Sequence, residues 1–218
     1  MKLIILNHKL DLGYEEVLNF EKELSEVKSS NRIVMCPKSK YLKYFKNSNY
    51  ELGSRNVDDC LSISELKDLG VKYTLVAHSE RNDSISKINN DLVKLIENNI
   101  IPILCVGEEV KGDQEVIFLQ LDNYLKDLKS VKHIIIAYEP IWAIGSGALP
   151  KGEEVEEIIN QIKKYMLEKY QTNSIVIYGG SVSLEVMDKL KQINIDGYIL
   201  GGLSLDIENL KIFIKEME

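Results

Sequence analysis

Cysteine is scarce in this chain: Cys36, Cys60 and Cys105 are the only three in 218 residues. The number is odd and no two stand as C-x-x-C, which excludes a disulfide framework and a paired-thiol metal or redox motif. Free thiols in a reducing, cytoplasmic compartment are the expectation. Long apolar runs are missing as well. The opening MKLIILNHK turns polar too soon for a signal peptide, and no later run approaches a membrane span. There is no dense run of Lys or Arg, and the net charge is −7. Nucleic acid and anionic membrane are therefore excluded as the main partner. An anionic small substrate is not, because a local site can oppose the global charge. No linker, low-complexity tract or composition break divides the chain, so residues 1–218 read as a single domain.

What is present is ordinary globular composition, 44% hydrophobic and 28% charged, arranged as strand then helix eight times over. Strands are predicted over residues 2–7, 32–36, 50–53, 73–77, 101–106, 134–138, 174–178 and 197–200. Each is a short apolar run rather than an alternating one, as expected when helices cover the sheet. Between them lie helical stripes such as Val17, Phe20, Leu24 and Val27, or Val155, Ile158, Ile159, Ile162 and Met166. The helix in unit two is predicted near residues 39–46, and the one in unit three near 62–69. Eight βα units in one series predict a closed (β/α)8 TIM barrel, eight parallel strands ringed by helices. The alternative is an open doubly wound sheet, unusual for eight parallel strands at this length.

In such a barrel the reactive face lies at the C-terminal ends of the strands. Past strand one stand Asn7 and Lys9, spaced by two and so directed to the same side. A Lys in a barrel mouth is costly unless it meets an anion or a carboxylate. Past strand four come His78, Ser79, Glu80 and Arg81. Past strand six comes Glu139, followed by Pro140, the single tryptophan Trp142, and Gly145-Ser146-Gly147. This layout suits a base with a closing lid. Past strands seven and eight come Gly179-Gly180-Ser181 and Gly201-Gly202-Leu203-Ser204, glycine turns predicted to open helices and offer N–H groups to a phosphate. Each feature alone has a structural reading: a satisfied helix-start histidine, an ion pair of Lys9 with Glu80, routine turn glycines, a solvated acid at Glu108. None of these explains why all of them fall at one end of one barrel.

Together these residues resemble the triosephosphate isomerase family over nearly the whole chain. Asn7-x-Lys9 is similar to its first-strand motif, His78-Ser79-Glu80-Arg81 to its electrophile motif, and Cys105-Val106-Gly107-Glu108 to its fifth-strand motif. The stretch AYEPIWAIGSG at 137–147 resembles the family signature, and Tyr178-Gly179-Gly180-Ser181 with Gly201-Gly202-x-Ser204 its phosphate turns. The resemblance implies interconversion of dihydroxyacetone phosphate and D-glyceraldehyde 3-phosphate, in glycolysis and gluconeogenesis, with no metal and no organic cofactor. It implies Glu139 as general base, His78 as electrophile and Lys9 as electrostatic catalyst, the pattern established for this family. Asn7, Lys9, Gly145, Ser181, Gly201 and Gly202 are implied to bind substrate, with Glu80 and Tyr178 in support. The lid is implied to comprise Pro140, Ile141, Trp142, Ala143, Ile144, Gly145, Ser146, Gly147 and Ala148. A neutral His78 is expected from a place at a helix start, where positive charge is disfavoured.

Several positions depart from the pattern. Family members run nearer ~250 residues, and the clearest loss follows strand three, at residues 54–60. In the family that segment reaches into a partner subunit and braces the Asn and Lys there, so a homodimer with a reduced interface is expected. Asn82 stands for a second Arg, Ala77 for a Gly before His78, Ala148 for a Lys, and Leu203 for a small residue beside the phosphate turn. The alternatives are an isomerase of a four-carbon ketose phosphate, through Leu203 and the trimmed loops, and a non-catalytic sugar-phosphate-binding barrel.

Overall fold

The computed structural model describes residues 1–57, 61–144 and 151–218. Eight strands form a closed barrel in the order β1 to β8: β1 Leu3–Asn7, β2 Arg32–Cys36, β3 Glu51–Ser54, β4 Val71–Val76, β5 Ile101–Val106, β6 Ile135–Tyr138, β7 Val176–Tyr178 and β8 Gly197–Leu200. Every pairing is parallel, and β1 closes the ring by pairing with both β2 and β8. The helices outside are α1 Tyr14–Ser25, α2 Ile63–Asp68, α3 Ile85–Glu97, α4 Glu115–Leu125, α5 Gly152–Tyr170, α6 Met187–Lys191 and α7 Ile207–Glu216. Among the described residues none is long and apolar enough to cross a membrane.

Side chains alternate along a strand, and in a barrel the two directions are lumen and helix layer. Leu3, Ile5, Val34, Cys36, Tyr73, Leu75, Ile103, Cys105, Ile135, Ala137, Ile177 and Ile199 fill the lumen as one apolar cluster. The opposite parity, Ile4, Leu6, Ile33, Met35, Leu104, Val106, Ile136, Tyr138, Val176 and Tyr178, joins the larger core under the helices. Most of the predicted stripe positions are the buried ones: Val17, Phe20 and Leu24 in α1, and Val155, Ile158, Ile159, Ile162 and Met166 in α5, while Val27 lies past the end of α1 and is half-buried. Local signals set several ends. Ser62 Oγ accepts from Glu65 N–H at 3.2 Å while Glu65 Oε2 accepts from Ser62 N–H at 2.7 Å, a reciprocal cap that starts α2.

Four local expectations change. Unit two carries a six-residue 3-10 turn, Ser39–Tyr44, in place of an α-helix. Two strands shift: strand four runs from Val71 to Val76, beginning two residues earlier than expected and leaving Ala77 outside, and strand seven begins at Val176, two residues later. His78 does not open a helix: α3 starts at Ile85, where Ser84 Oγ accepts from Lys87 N–H at 3.2 Å. Neither glycine turn enters an α-helix directly. The 3-10 segments Leu184–Val186 and Gly202–Leu205 come first. For α3 the reason is local: the Ser84 cap fixes the helix start downstream of the strand end.

Candidate active site

Strand parity places two of the site residues. Leu3 and Ile5 point into the lumen, so Asn7 does too, at the upper rim, where it is 1% exposed. Ile135 and Ala137 do the same for Glu139, which is 2% exposed. Glu139 is pressed between two glycines. A Cβ on Gly107 would stand 1.7 Å from the Glu139 carbonyl oxygen, and one on Gly179 would stand 2.8 Å from Glu139 Cγ. His78 needs a different device. By alternation Tyr73 and Leu75 face inward, and His78 would face the helices. Ala77 instead adopts a left-handed conformation, φ 57°, which breaks the strand and turns the imidazole into the mouth.

The result is a compact polar set. Glu139 Oε1 lies 3.3 Å from His78 Nε2, and Asn7 Nδ2 lies 2.9 Å from the same nitrogen. Lys9 Nζ donates to Glu80 Oε1 at 2.5 Å, which satisfies the charge that a barrel-mouth lysine demands. Glu80 N–H donates to His78 Nδ1 at 3.2 Å. In the neutral ring this leaves Nε2 to carry the proton, facing Glu139. These groups line a cavity of about 340 Å³ that also holds Ile144, Gly179, Gly180, Ser181, Gly201 and Gly202. The two turns therefore meet the acid–base pair in one space. Gly201 sits beside Lys9, within 3.9 Å of Nζ measured from an added Cβ, and open space lies next to Gly202.

Electrostatics separate the two titrating groups. Burial lowers the His78 pKa from 6.5 to about 4, and the positive charges of Lys9 and Arg55 add to this against the opposing pull of Glu80. The imidazole is neutral for that reason, and not through the helix start that the sequence suggested. Burial raises the Glu139 pKa from 4.5 to about 7, while hydrogen bonding from Ser79 and Cys105 and the charge of Lys9 pull the other way. Glu139 Oε2 has no hydrogen-bond partner among the described residues. Burial also pushes Glu80 upward, but the Lys9 contact outweighs it and the net shift is down.

The first half of the expected lid is described. Pro140 leads into the 3-10 turn Ile141–Ala143, and Ile144 follows with its side chain at the cavity. Gly145, Ser146, Gly147 and Ala148 lie outside the described residues. Ser181 Oγ donates to the Ala143 carbonyl at 2.8 Å, which ties the glycine turn after β7 to the 3-10 turn after β6. In the other turn Ser204 is fully buried and its Oγ donates to the Gly201 carbonyl at 2.7 Å. Tyr178 is buried beneath Gly180, whose added Cβ would stand 2.1 Å from the phenol oxygen, so it shapes that turn from below. Leu203 packs against the outer core and is not among the cavity residues.

Four neighbours of the site were given no role by the sequence reading. Glu108 is not a solvated acid. It is 2% exposed, and its Oε1 accepts from Trp142 Nε1 at 2.7 Å and from the Tyr138 hydroxyl at 3.0 Å, anchoring the single tryptophan. Ser79 and Cys105 act on Glu139 as described above. Arg55, just past strand three, donates from Nε to Asn7 Oδ1 at 2.9 Å and from Nη2 to Glu80 Oε2 at 3.1 Å. Its position after a strand is the signal that could have found it, since the other strand ends supplied the rest of the site.

The chain matches the family described as triosephosphate isomerase over residues 2–217. Similar proteins include the triosephosphate isomerase of Blochmanniella floridana, 35% identical, with 95% of this chain and 92% of that protein covered. That of Dictyoglomus thermophilum is 34% identical with 98% of each covered. That of Mesomycoplasma hyorhinis is 33% identical, with 98% of this chain and 96% of that protein covered.

Proposed function

The chain belongs to the triosephosphate isomerase family, and we propose from that premise that it interconverts dihydroxyacetone phosphate and D-glyceraldehyde 3-phosphate through an enediolate, with Glu139 as the base. The Glu139 carboxylate removes the proton from the carbon next to the carbonyl and becomes a carboxylic acid. His78 Nε2–H hydrogen-bonds the carbonyl oxygen as negative charge develops there and passes a proton between the two oxygens. Glu139 then returns its proton to the neighbouring carbon, so the enzyme ends as it began. A pKa near 7 suits a group that must both take and give this proton at neutral pH. Lys9 and the Asn7 amide face the same oxygens and stabilise the developing charge.

Gly145, Ser181, Gly201 and Gly202 receive the phosphate, with Tyr178 supporting their turn and Glu80 holding Lys9. Pro140 through Ala148 close as the lid and exclude water, which protects the enediolate from losing phosphate. No metal or cofactor enters these steps. The reaction belongs to glycolysis and gluconeogenesis in the cytoplasm, a setting consistent with the free thiols of Cys36 and Cys105. The chain works without nucleic acid or membrane, as a homodimer with a reduced interface.

The observation that carries this reading is the pairing of a buried carboxylate, shifted to about 7, with a neutral imidazole 3.3 Å away in a cavity walled by two glycine turns. A coupled assay with glyceraldehyde 3-phosphate tests it, run beside a four-carbon ketose phosphate at equal concentration. Wild-type protein is expected to prefer the triose, and Glu139→Gln to lower kcat by about 10² or more, the scale of a positioned general base. Native turnover in that variant would remove Glu139 from its role.

A further inference from the structure

Arg55 lies outside the substrate cavity, yet it reaches the two residues that organise one wall of it. It borders a neighbouring cavity of about 420 Å³, which shares Asn7, His78 and Glu80 with the first. A guanidinium is donor-only, so the Asn7 atom it meets must be the amide oxygen. That fixes the amide. With Oδ1 held at 2.9 Å by Nε, the NH₂ end of Asn7 is turned away from Arg55 into the mouth, where the substrate oxygens sit; its 2.9 Å approach to the protonated His78 Nε2 is a contact of two donors that an oxygen acceptor between them would satisfy. Without that partner either end of the amide could face the mouth, and the wrong end would present an acceptor to developing negative charge. The second arm of the fork takes Glu80 Oε2 at 3.1 Å while Lys9 takes Oε1 at 2.5 Å. Glu80 is thereby held from both sides, and Lys9 is aimed.

We infer that Arg55 is a positioning residue: by bridging Asn7 and Glu80 it turns the Asn7 donor end and the Lys9 ammonium toward the substrate oxygens, within a single chain. The inference rests on the isomerase reading for the identity of those oxygens, and on geometry alone for the bridge. A lysine could not fully replace it, because an ammonium lacks the planar fork that spans two partners in different βα units. Its charge also acts on His78, where it opposes protonation.

The test compares wild type, Arg55→Ala and Arg55→Lys in two measurements. The first is an NMR titration of the His78 ring, which needs no activity. Removing the cation in Arg55→Ala is expected to raise the His78 pKa, while Arg55→Lys stays nearer wild type. The second is steady-state kinetics with glyceraldehyde 3-phosphate. Arg55→Ala is expected to lose between about tenfold and a hundredfold in kcat, the cost of misplaced catalytic groups. Its KM changes little, because the phosphate turns are untouched. Arg55→Lys is expected to fall between the two, and circular dichroism to show the same fold in all three. Native kcat in Arg55→Ala overturns the inference, as does an unmoved His78 titration. Wild-type protein without isomerase activity would sink the functional reading instead, and the titration would still decide whether Arg55 bears on the imidazole. Should Arg55→Ala fail to fold, Arg55→Lys with full kcat overturns the inference equally.

Discussion

Glu139 is at once the most useful and the most costly side chain in the molecule. Its ordinary pKa is 4.5 and its folded value about 7. Between those values the folded chain holds a proton that the unfolded chain has released, so folding is favoured more as pH falls. The contribution is fully present below about 4.5 and is lost as pH rises through about 7. A neutral amide carries no such penalty. Glu139→Gln should therefore be more stable than wild type at pH 8, by up to about 3 kcal/mol for a shift of this size. The gap should close toward pH 5. Thermal melts of both proteins across that range check it, and a gap independent of pH would contradict the burial argument. His8 and His78 act with the opposite sign. Burial lowers both from 6.5 to about 4, so their contribution is full above about 6.5 and is lost as pH falls to about 4. Both proteins share His8, and an NMR titration of His78 in each separates any change at that ring, 3.3 Å from the substituted group, from the contribution of Glu139.

The strand tips show what the sequence could and could not reveal. Asn7 and Lys9 were legible because residues spaced by two in extended chain face the same side, and Glu139 because it ends a short apolar strand directly before Pro140. The glycine turns were legible because backbone must approach closely there. His78 was found as a motif, but its route into the site was not, since alternation sends it the wrong way. The correction lies in Ala77, whose positive φ no apolar pattern announces. Glu108 and Arg55 were missed for a related reason. Their partners, Trp142 and Asn7, belong to other βα units, and spacing along one chain does not report contacts between units.

Ala77 also supplies a prediction at this scale. An L-residue in the left-handed region costs about 1–2 kcal/mol, and glycine avoids that while losing about 0.4–1 kcal/mol through a freer unfolded chain. Ala77→Gly should raise the urea midpoint slightly, by roughly 0.5 kcal/mol in stability, and leave kcat unchanged. Ala77→Val places a branched side chain where φ is positive. It should lower stability by about 2 kcal/mol or more and reduce kcat by moving His78. A valine variant with native kcat would show that the turn at Ala77 does not aim the imidazole.

At the scale of the whole molecule, the question is what one chain needs from another. The loop after β3 is short, and the resemblance assigns its longer counterpart the task of bracing a partner's Asn and Lys. Here the chain's own Arg55 holds Asn7 and Glu80, and through Glu80 holds Lys9. Every group proposed to touch the reacting oxygens is then fixed by bonds within one barrel, whatever surface a second copy covers. Assembly and catalysis should be separable. A homodimer with a small interface should dissociate on dilution, and light scattering should follow that transition. Activity per mole, measured over the same concentrations, should stay flat through it. A specific activity that falls in step with the dimer would mean that the second subunit completes the site, and that Arg55 does not suffice to brace it.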